Sequence, residues 1–301
     1  MKKTLVVILG PTGIGKTGMG IMLANYFKTE IISADSRQIY REMEIGTAVP
    51  SADQRKKTKH HFIQTRSIHD YYNASMFEME VLDLLEKLFL RKDILLLVGG
   101  SGLYVDAVCK GIDDIPTIDP EVRKNLVDQY NKEGIESLRR QLKYLDPEYY
   151  SNVDLKNHKR ILKALEISLM TGQPYSSFLT KQPKVRNFQI LKIGLNRERR
   201  ELYEIIDQRV DSMVRSGLAE EAKTLFAYCK INALNTVGYK ELFEHFEGKH
   251  TLEEAIRLIK RNSRRYAKRQ LSWFSRDKEI AWFHPDDREE IIHFIEKKTS
   301  A

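Results

Sequence analysis

The stretch TLVVILGPTGIGKTGMGIMLANYF, residues 4–27, decides the fold. Thr4 to Leu9 is an unbroken run of mainly Val, Ile and Leu, the pattern of a strand buried on both faces. Residues 10–17 read Gly-x-x-x-x-Gly-Lys-Thr, and the segment behind them has helical length. Strand, glycine-rich turn and helix in this order make a phosphate-cradling loop. Gly10, Gly13 and Gly15 permit the turn and the close approach of backbone to ligand, with Pro11, Thr12 and Ile14 completing the cradle. Backbone N–H groups and the positive end of the helix then face the anion. Lys16 reaches a phosphate oxygen, and the Thr17 hydroxyl is a candidate magnesium ligand. The motif specifies phosphate or diphosphate and leaves the rest of the ligand open.

Further apolar runs stand at 30–33, 94–98, 189–195 and 279–283, separated by helix-length segments. They predict an α/β fold, a P-loop NTPase-like parallel sheet flanked by helices. In residues 73–92, Phe77, Val81, Leu84, Leu85 and Leu88 recur at helical spacing, with Asn73 or Ser75 as the cap. Residues 113–185 hold no strand-like run and contain three amphipathic segments. They read as an inserted all-helical domain, with 1–112 and 186–301 forming the core.

The chain has 301 residues, 42% of them hydrophobic, and a formal charge of +8. That charge suits a polyanionic partner or simply a lysine-rich surface. Cys109 and Cys229 lie far apart, in no metal-like spacing, which predicts a reducing compartment without a disulfide framework. The adjacent His60 and His61 point to opposite faces if extended, so they do not form a metal pair. No apolar stretch approaches the roughly 18 residues of a membrane span. The N-terminal MKKTLVVIL runs straight into the loop without a small-residue cleavage site, so it reads as a strand, not a leader. A cytoplasmic protein is expected.

Asp35 follows the second apolar run, at the strand end where ligands lie in open α/β sheets. It is a candidate base across the cleft, or a turn residue. Ser101 stands behind Gly99-Gly100 at the tip of another strand, as a helix cap or a substrate contact. The segment 251–278 carries Arg257, Lys260, Arg261, Arg264, Arg265, Lys268, Arg269 and Arg276, with no acid between Glu254 and Asp277. Such a stripe suits a nucleic-acid backbone better than a solvated face, and the insertion adds Arg139, Arg140, Lys159, Arg160 and Lys163.

With these residues in view, the chain resembles the bacterial tRNA isopentenyltransferase (tRNA dimethylallyltransferase) family. The segments that carry the resemblance are GPTGIGKT, ISADSRQIYREMEIGTA, HHF, GGSGLY, KRILKALE, RVDSMVRSGL, NTVGYKE and AKRQLSWF, in the family's order along nearly the whole chain. ADSRQIY and KRQLSWF are the specific ones. The resemblance implies transfer of a dimethylallyl group from dimethylallyl diphosphate to the exocyclic amine of the adenosine 3′ of the anticodon in tRNA, with magnesium. It makes Asp35 the base and Thr17 and Arg209 its catalytic companions, with Arg123 and Arg209 as added cations for the leaving diphosphate. On the RNA side it implies Asp35, Ser36, Arg37, Gln38, Ser101, Arg123, the run Lys159, Arg160, Ile161, Leu162 and Lys163, then Gly238, Tyr239 and Lys240. Arg264, Arg265, Lys268 and Arg269 join them from the basic segment. The chain departs from the family pattern at Val49, Ser101, His158 and Lys163, and in the stretch QTRSIHDYYNAS.

Two other readings fit parts of the pattern: a small-molecule kinase with ATP in the loop, and a non-catalytic RNA-binding switch. The partners expected are tRNA and dimethylallyl diphosphate, with no membrane and a single copy of the chain.

Overall fold

The computed structural model describes residues 2–113, 115–116, 119–180 and 182–300. It divides into two compact units, Met1–Lys110 with Val185–Ala301, and Gly111–Lys184.

The first unit starts with β1 (Thr4–Leu9), α1 (Lys16–Tyr26), β2 (Ile31–Ser33), α2 (Ala52–Lys57), β3 (His60–His61), α3 (Ala74–Phe89), β4 (Ile94–Gly99) and α4 (Gly102–Lys110). The second unit holds α5 (Pro120–Glu133), α6 (Ile135–Leu145), α7 (Pro147–Asn152) and α8 (His158–Thr171). The chain returns to the first unit with β5 (Gln189–Leu195), α9 (Arg199–Arg215), α10 (Leu218–Leu225), α11 (Tyr239–Phe246), α12 (Leu252–Phe274), β6 (Ala281–Phe283) and α13 (Arg288–Thr299). Of the two caps expected for α3, Asn73 is the one used, accepting from Met76 N at 2.9 Å. Beyond the three amphipathic segments, the helical unit adds the short α7, which Asp146 starts directly behind α6 by accepting from Tyr149 N at 2.9 Å.

The strands form one six-stranded sheet in the order β3-β2-β4-β1-β5-β6, with every pairing parallel. Every residue of β1 is buried, as its apolar run requires. Leu9 at its C-terminal end is level with Gly99 of β4, and Ser33 of β2 is level with Val98. Three chain segments therefore leave the sheet side by side: the glycine-rich loop, Asp35 and the Gly99–Ser101 turn. Their approach is close enough to demand glycine, because a Cβ on Gly99 would lie 2.2 Å from the Ala34 carbonyl oxygen. Beyond the expected strands, β3 adds a short edge strand. His61 Nε2 pairs with Glu30 at 2.6 Å while His60 Nδ1 meets the Thr58 carbonyl at 2.8 Å, so the two rings serve different neighbours.

One core cluster packs α1, α9 and α13 against the sheet through residues such as Leu23, Ile206 and Ile295. A second joins Ile39, Met43 and Ile68 to α9–α12 through Val210, Tyr239 and Ile259. The helical unit has its own core, built on Leu138, Leu142, Ile161 and Leu165. Among the described residues no helix is long and apolar enough to cross a membrane.

Candidate active site

Gly10, Gly13 and Gly15 all have positive φ (149°, 81° and 102°), which is how the chain turns from β1 into α1 within the motif. Ile14 anchors the turn from below; its side chain is buried in the core, so only its backbone belongs to a cradle. The N–H groups of Gly13, Gly15, Lys16 and Thr17 have no protein acceptor among the described residues, and they open toward a cavity of about 270 Å³. Lys16 folds back over the loop, its Nζ donating to the carbonyls of Gly10 (3.0 Å) and Pro11 (2.8 Å). Burial, helped by the positive charge of Arg209, pushes its pKa down to about 7, against a smaller opposing pull from Asp35. The cradle is thus rich in donors and short of negative charge.

Asp35 faces Lys16 across this cavity and also lines a smaller one of about 100 Å³, walled by Ile206, Val210, Met213 and Val237. Both readings of Asp35 hold at once. Its Oδ1 accepts from Arg37 N (2.9 Å) and Gln38 N (3.2 Å), an Asx-type turn that fixes the carboxylate. Its Oδ2 makes no hydrogen bond among the described residues. Arg209, on α9, lines both cavities as well and has no hydrogen-bond or ion-pair partner among the described residues. Burial lowers its pKa and the charge of Asp35 partly restores it.

The Ser101 carbonyl accepts from Val105 N at 3.0 Å at the start of α4, but its hydroxyl makes no cap bond to that helix among the described residues. Its Oγ accepts from Ser36 N at 2.9 Å and meets Ser36 Oγ at 3.2 Å, stitching the β4 turn to the Asp35 turn. Gln38 Nε2 donates to the carbonyls of Thr47 and Ala48, both at 3.1 Å. Two residues outside the expected site set belong to the same constellation. Gln270 on α12 accepts from Thr12 N and donates to the Gly100 carbonyl, both at 2.8 Å, and so locks the loop to the neighbouring turn. Tyr266, one helical turn earlier, lines both cavities. Their i, i+4 spacing inside YAKRQ was the available signal, masked by the charges around it. His60 lines the larger cavity too, its basicity lowered by burial.

The basic segment divides in two. Lys260 pairs with Asp211 (2.6 Å), and Arg264 makes two bonds to Asp207 (2.5 and 2.7 Å), both acids on α9. Arg257 pairs with Glu254. The expectation of one continuous cationic stripe is therefore corrected: acids remote in sequence neutralise one side of α12. Arg265, Lys268 and Arg269 remain exposed, and Arg269 lies 5.7 Å from the centre of the Tyr266 ring. Arg265 and Arg269 share an open cleft of about 430 Å³ with Ser36, Arg37, Lys240 and Tyr266. Gly238 lines the smaller cavity. Tyr239 is fully buried, so its place on an RNA surface is corrected.

Arg123 belongs to the helical unit, where it pairs with the fully buried Glu166 at 3.1 Å. Lys159 and Arg160 are exposed on α8 and Lys163 is half-buried. Ile161 and Leu162 are core residues of that unit, which corrects their assignment to RNA contact. His158 stacks on Tyr130 at 4.9 Å. No cluster of three or more His, Cys, Asp or Glu suited to a metal occurs among the described residues.

A model of the IPP transferase family matches residues 38–277. A tRNA dimethylallyltransferase 1 of Bacteroides fragilis is 53% identical over 294 residues, covering 98% of both chains. The tRNA dimethylallyltransferase of Christiangramia forsetii is 50% identical over 299 residues, covering 99% of both. Among solved structures, a tRNA isopentenylpyrophosphate transferase from Bacillus halodurans superposes with a TM-score of 0.73 at 37% identity, over 99% of this chain and 97% of that one. A eukaryotic dimethylallyltransferase acting on tRNA superposes with a TM-score of 0.78 at 27% identity, over 90% and 70%.

Proposed function

The chain belongs to the IPP transferase family, and we propose that it transfers a dimethylallyl group from dimethylallyl diphosphate to the exocyclic amine of the adenosine 3′ of the anticodon in tRNA, releasing diphosphate. The observation that carries this reading is the position of Asp35. Its turn-fixed carboxylate lines both a donor-rich anion cavity and a smaller, mixed cavity with Ile206, Val210, Met213 and Val237 in its wall.

The exocyclic amine of adenine is a weak nucleophile because its lone pair is delocalised into the ring. Asp35 Oδ2 takes a proton from that amine as the new C–N bond forms. The allylic C–O bond breaks and the electron pair leaves with the diphosphate. The free N–H groups of the loop, Lys16 and the otherwise unpaired Arg209 stabilise that departing anion.

Magnesium fits this site in one way. The Thr17 hydroxyl lines the cavity and makes no protein hydrogen bond among the described residues, while no carboxylate cage is present there. Thr17, with oxygens of the diphosphate itself, would hold the ion, which supplies charge neutralisation to the leaving group. The target base is flipped out of the anticodon stack to reach Asp35. The cleft of Arg37, Lys240, Arg265 and Arg269 receives the neighbouring backbone, and exposed Lys159 and Arg160 add grip from the helical unit. A cytoplasmic location suits such a substrate.

Relatives named for dimethylallyl transfer leave no support for the kinase or the passive RNA switch. Incubating the protein with anticodon stem-loop RNA and labelled dimethylallyl diphosphate, then digesting to nucleosides, tests the reading. Label is expected on one adenosine. Turnover of ATP with no labelled nucleoside would overturn it.

A further inference from the structure

We infer that Glu221 is a positioning residue for transfer, acting through the strap of residues 44–48 that walls the Asp35 site. The inference rests on the function proposed above. Glu221 lies on α10 and lines neither cavity. Its Oε2 accepts from Glu44 N (3.0 Å) and Ile45 N (2.8 Å), and its Oε1 from Gly46 N (2.9 Å) and the Tyr239 hydroxyl (2.7 Å). Three successive backbone N–H groups thus close on one carboxylate, an anion nest whose anion is a side chain.

The anchor is rigid because Tyr239 is fully buried. Its ring also sets how near the strap can come, since a Cβ on Gly46 would lie 2.6 Å from it. At its far end the strap is tied to the catalytic turn. Gln38 Nε2 holds the Thr47 and Ala48 carbonyls, and Gln38 N donates to Asp35 Oδ1. Ala48 has φ 48°, a left-handed conformation that alanine adopts only when its surroundings impose it. Between these ties, Gly46 and Thr47 line the smaller cavity and Ala48 lines the larger one. A strap that borders both cavities beside the base governs how the reacting groups meet. Without the carboxylate its three N–H groups lose their acceptor and the wall loosens. A displacement of about 1 Å near reacting groups can cost on the order of 10²-fold in rate.

The test compares Glu221→Ala, Glu221→Gln and Tyr239→Phe with the unaltered chain in kcat per active site, KM for donor and RNA, inhibition by inorganic diphosphate, and thermal midpoint. Glu221→Ala is expected to lower kcat/KM on the order of 10²-fold, and Glu221→Gln less, because the amide keeps one acceptor. Tyr239→Phe, which preserves packing if the Glu221 variants fail to fold, is expected to cost on the order of tenfold. Diphosphate inhibition should stay unchanged, because the loop of residues 10–17 is untouched. In a double variant carrying Glu221→Gln and Tyr239→Phe the two losses should be non-additive, as for partners in one network. Losses that vanish once activity is normalised to folded protein, or a Tyr239→Phe variant with unaltered kcat and KM, would overturn the inference. An unaltered chain with no transferase activity would instead sink the function itself, and this inference with it.

Discussion

Lys16 is the residue whose charge the fold controls most directly. Burial and Arg209 push its pKa down to about 7, so its charge changes near neutral pH. A bound diphosphate restores the ammonium form, and above pH 7 that requires uptake of a proton. Calorimetry in buffers of different ionisation enthalpy should show proton uptake on diphosphate binding at pH 8 and much less at pH 6. The Lys16→Ala variant should lose the excess and raise the donor KM; uptake that survives in it would assign the proton elsewhere. Asp35 carries a separate expectation. Asp35→Ala should lower kcat by 10²-fold or more with RNA affinity preserved, because the Ser101–Ser36 stitch holds the turn independently of the carboxylate. Unchanged turnover in that variant would remove Asp35 as the base.

At the scale of an element, α12 does two jobs on two faces. Its inner side holds the site together through Gln270 and is neutralised along its length by Asp207 and Asp211 of α9. Its outer side offers Arg265, Lys268 and Arg269. Charge reversal should separate the two. Changing those three to Glu is expected to weaken RNA binding and lower its salt slope by about 0.7–0.9 per lost phosphate contact, with little change in thermal midpoint. Arg264→Glu should do the opposite, lowering the midpoint by setting a second carboxylate beside Asp207. Filter binding across a salt series, with a melting curve for each variant, checks both. Equal loss of RNA affinity from Arg264→Glu in a protein of unaltered stability would contradict the division.

For the molecule as a whole, two compact units with separate cores each carry their own electrostatic cost. In the helical unit, Glu166 is fully buried, and burial raises its pKa despite the attraction of Arg123 and Lys163. The sign follows from linkage. A carboxyl whose folded pKa is raised contributes stability that is complete below its unfolded value of 4.5, and loses it as pH climbs through the folded value. Glu166→Gln should therefore raise the melting temperature at pH 7 and flatten its dependence on pH above 4.5, since exposed Arg123 is left in water and not stranded in the core. A melting temperature that falls would mean the pair with Arg123 outweighs the desolvation.

What local sequence reveals is whatever short-range rules govern. The apolar runs placed five of the six strands because each is long or buried enough to leave a hydrophobic signature; β3 has only two half-buried residues and leaves none. The loop, Lys16, Thr17 and the strand-end position of Asp35 were legible because contiguous residues build them. Pairings between residues far apart in the chain were not. Asp207 against Arg264, Gln270 across Thr12 and Gly100, and Tyr239 under the strap depend on which helix faces join in the folded core, and periodicity within one segment carries no record of its partner. Ile161, Leu162 and Tyr239 were placed on an RNA surface by motif alone, and packing put them inside, where an apolar side chain or a satisfied hydroxyl costs least.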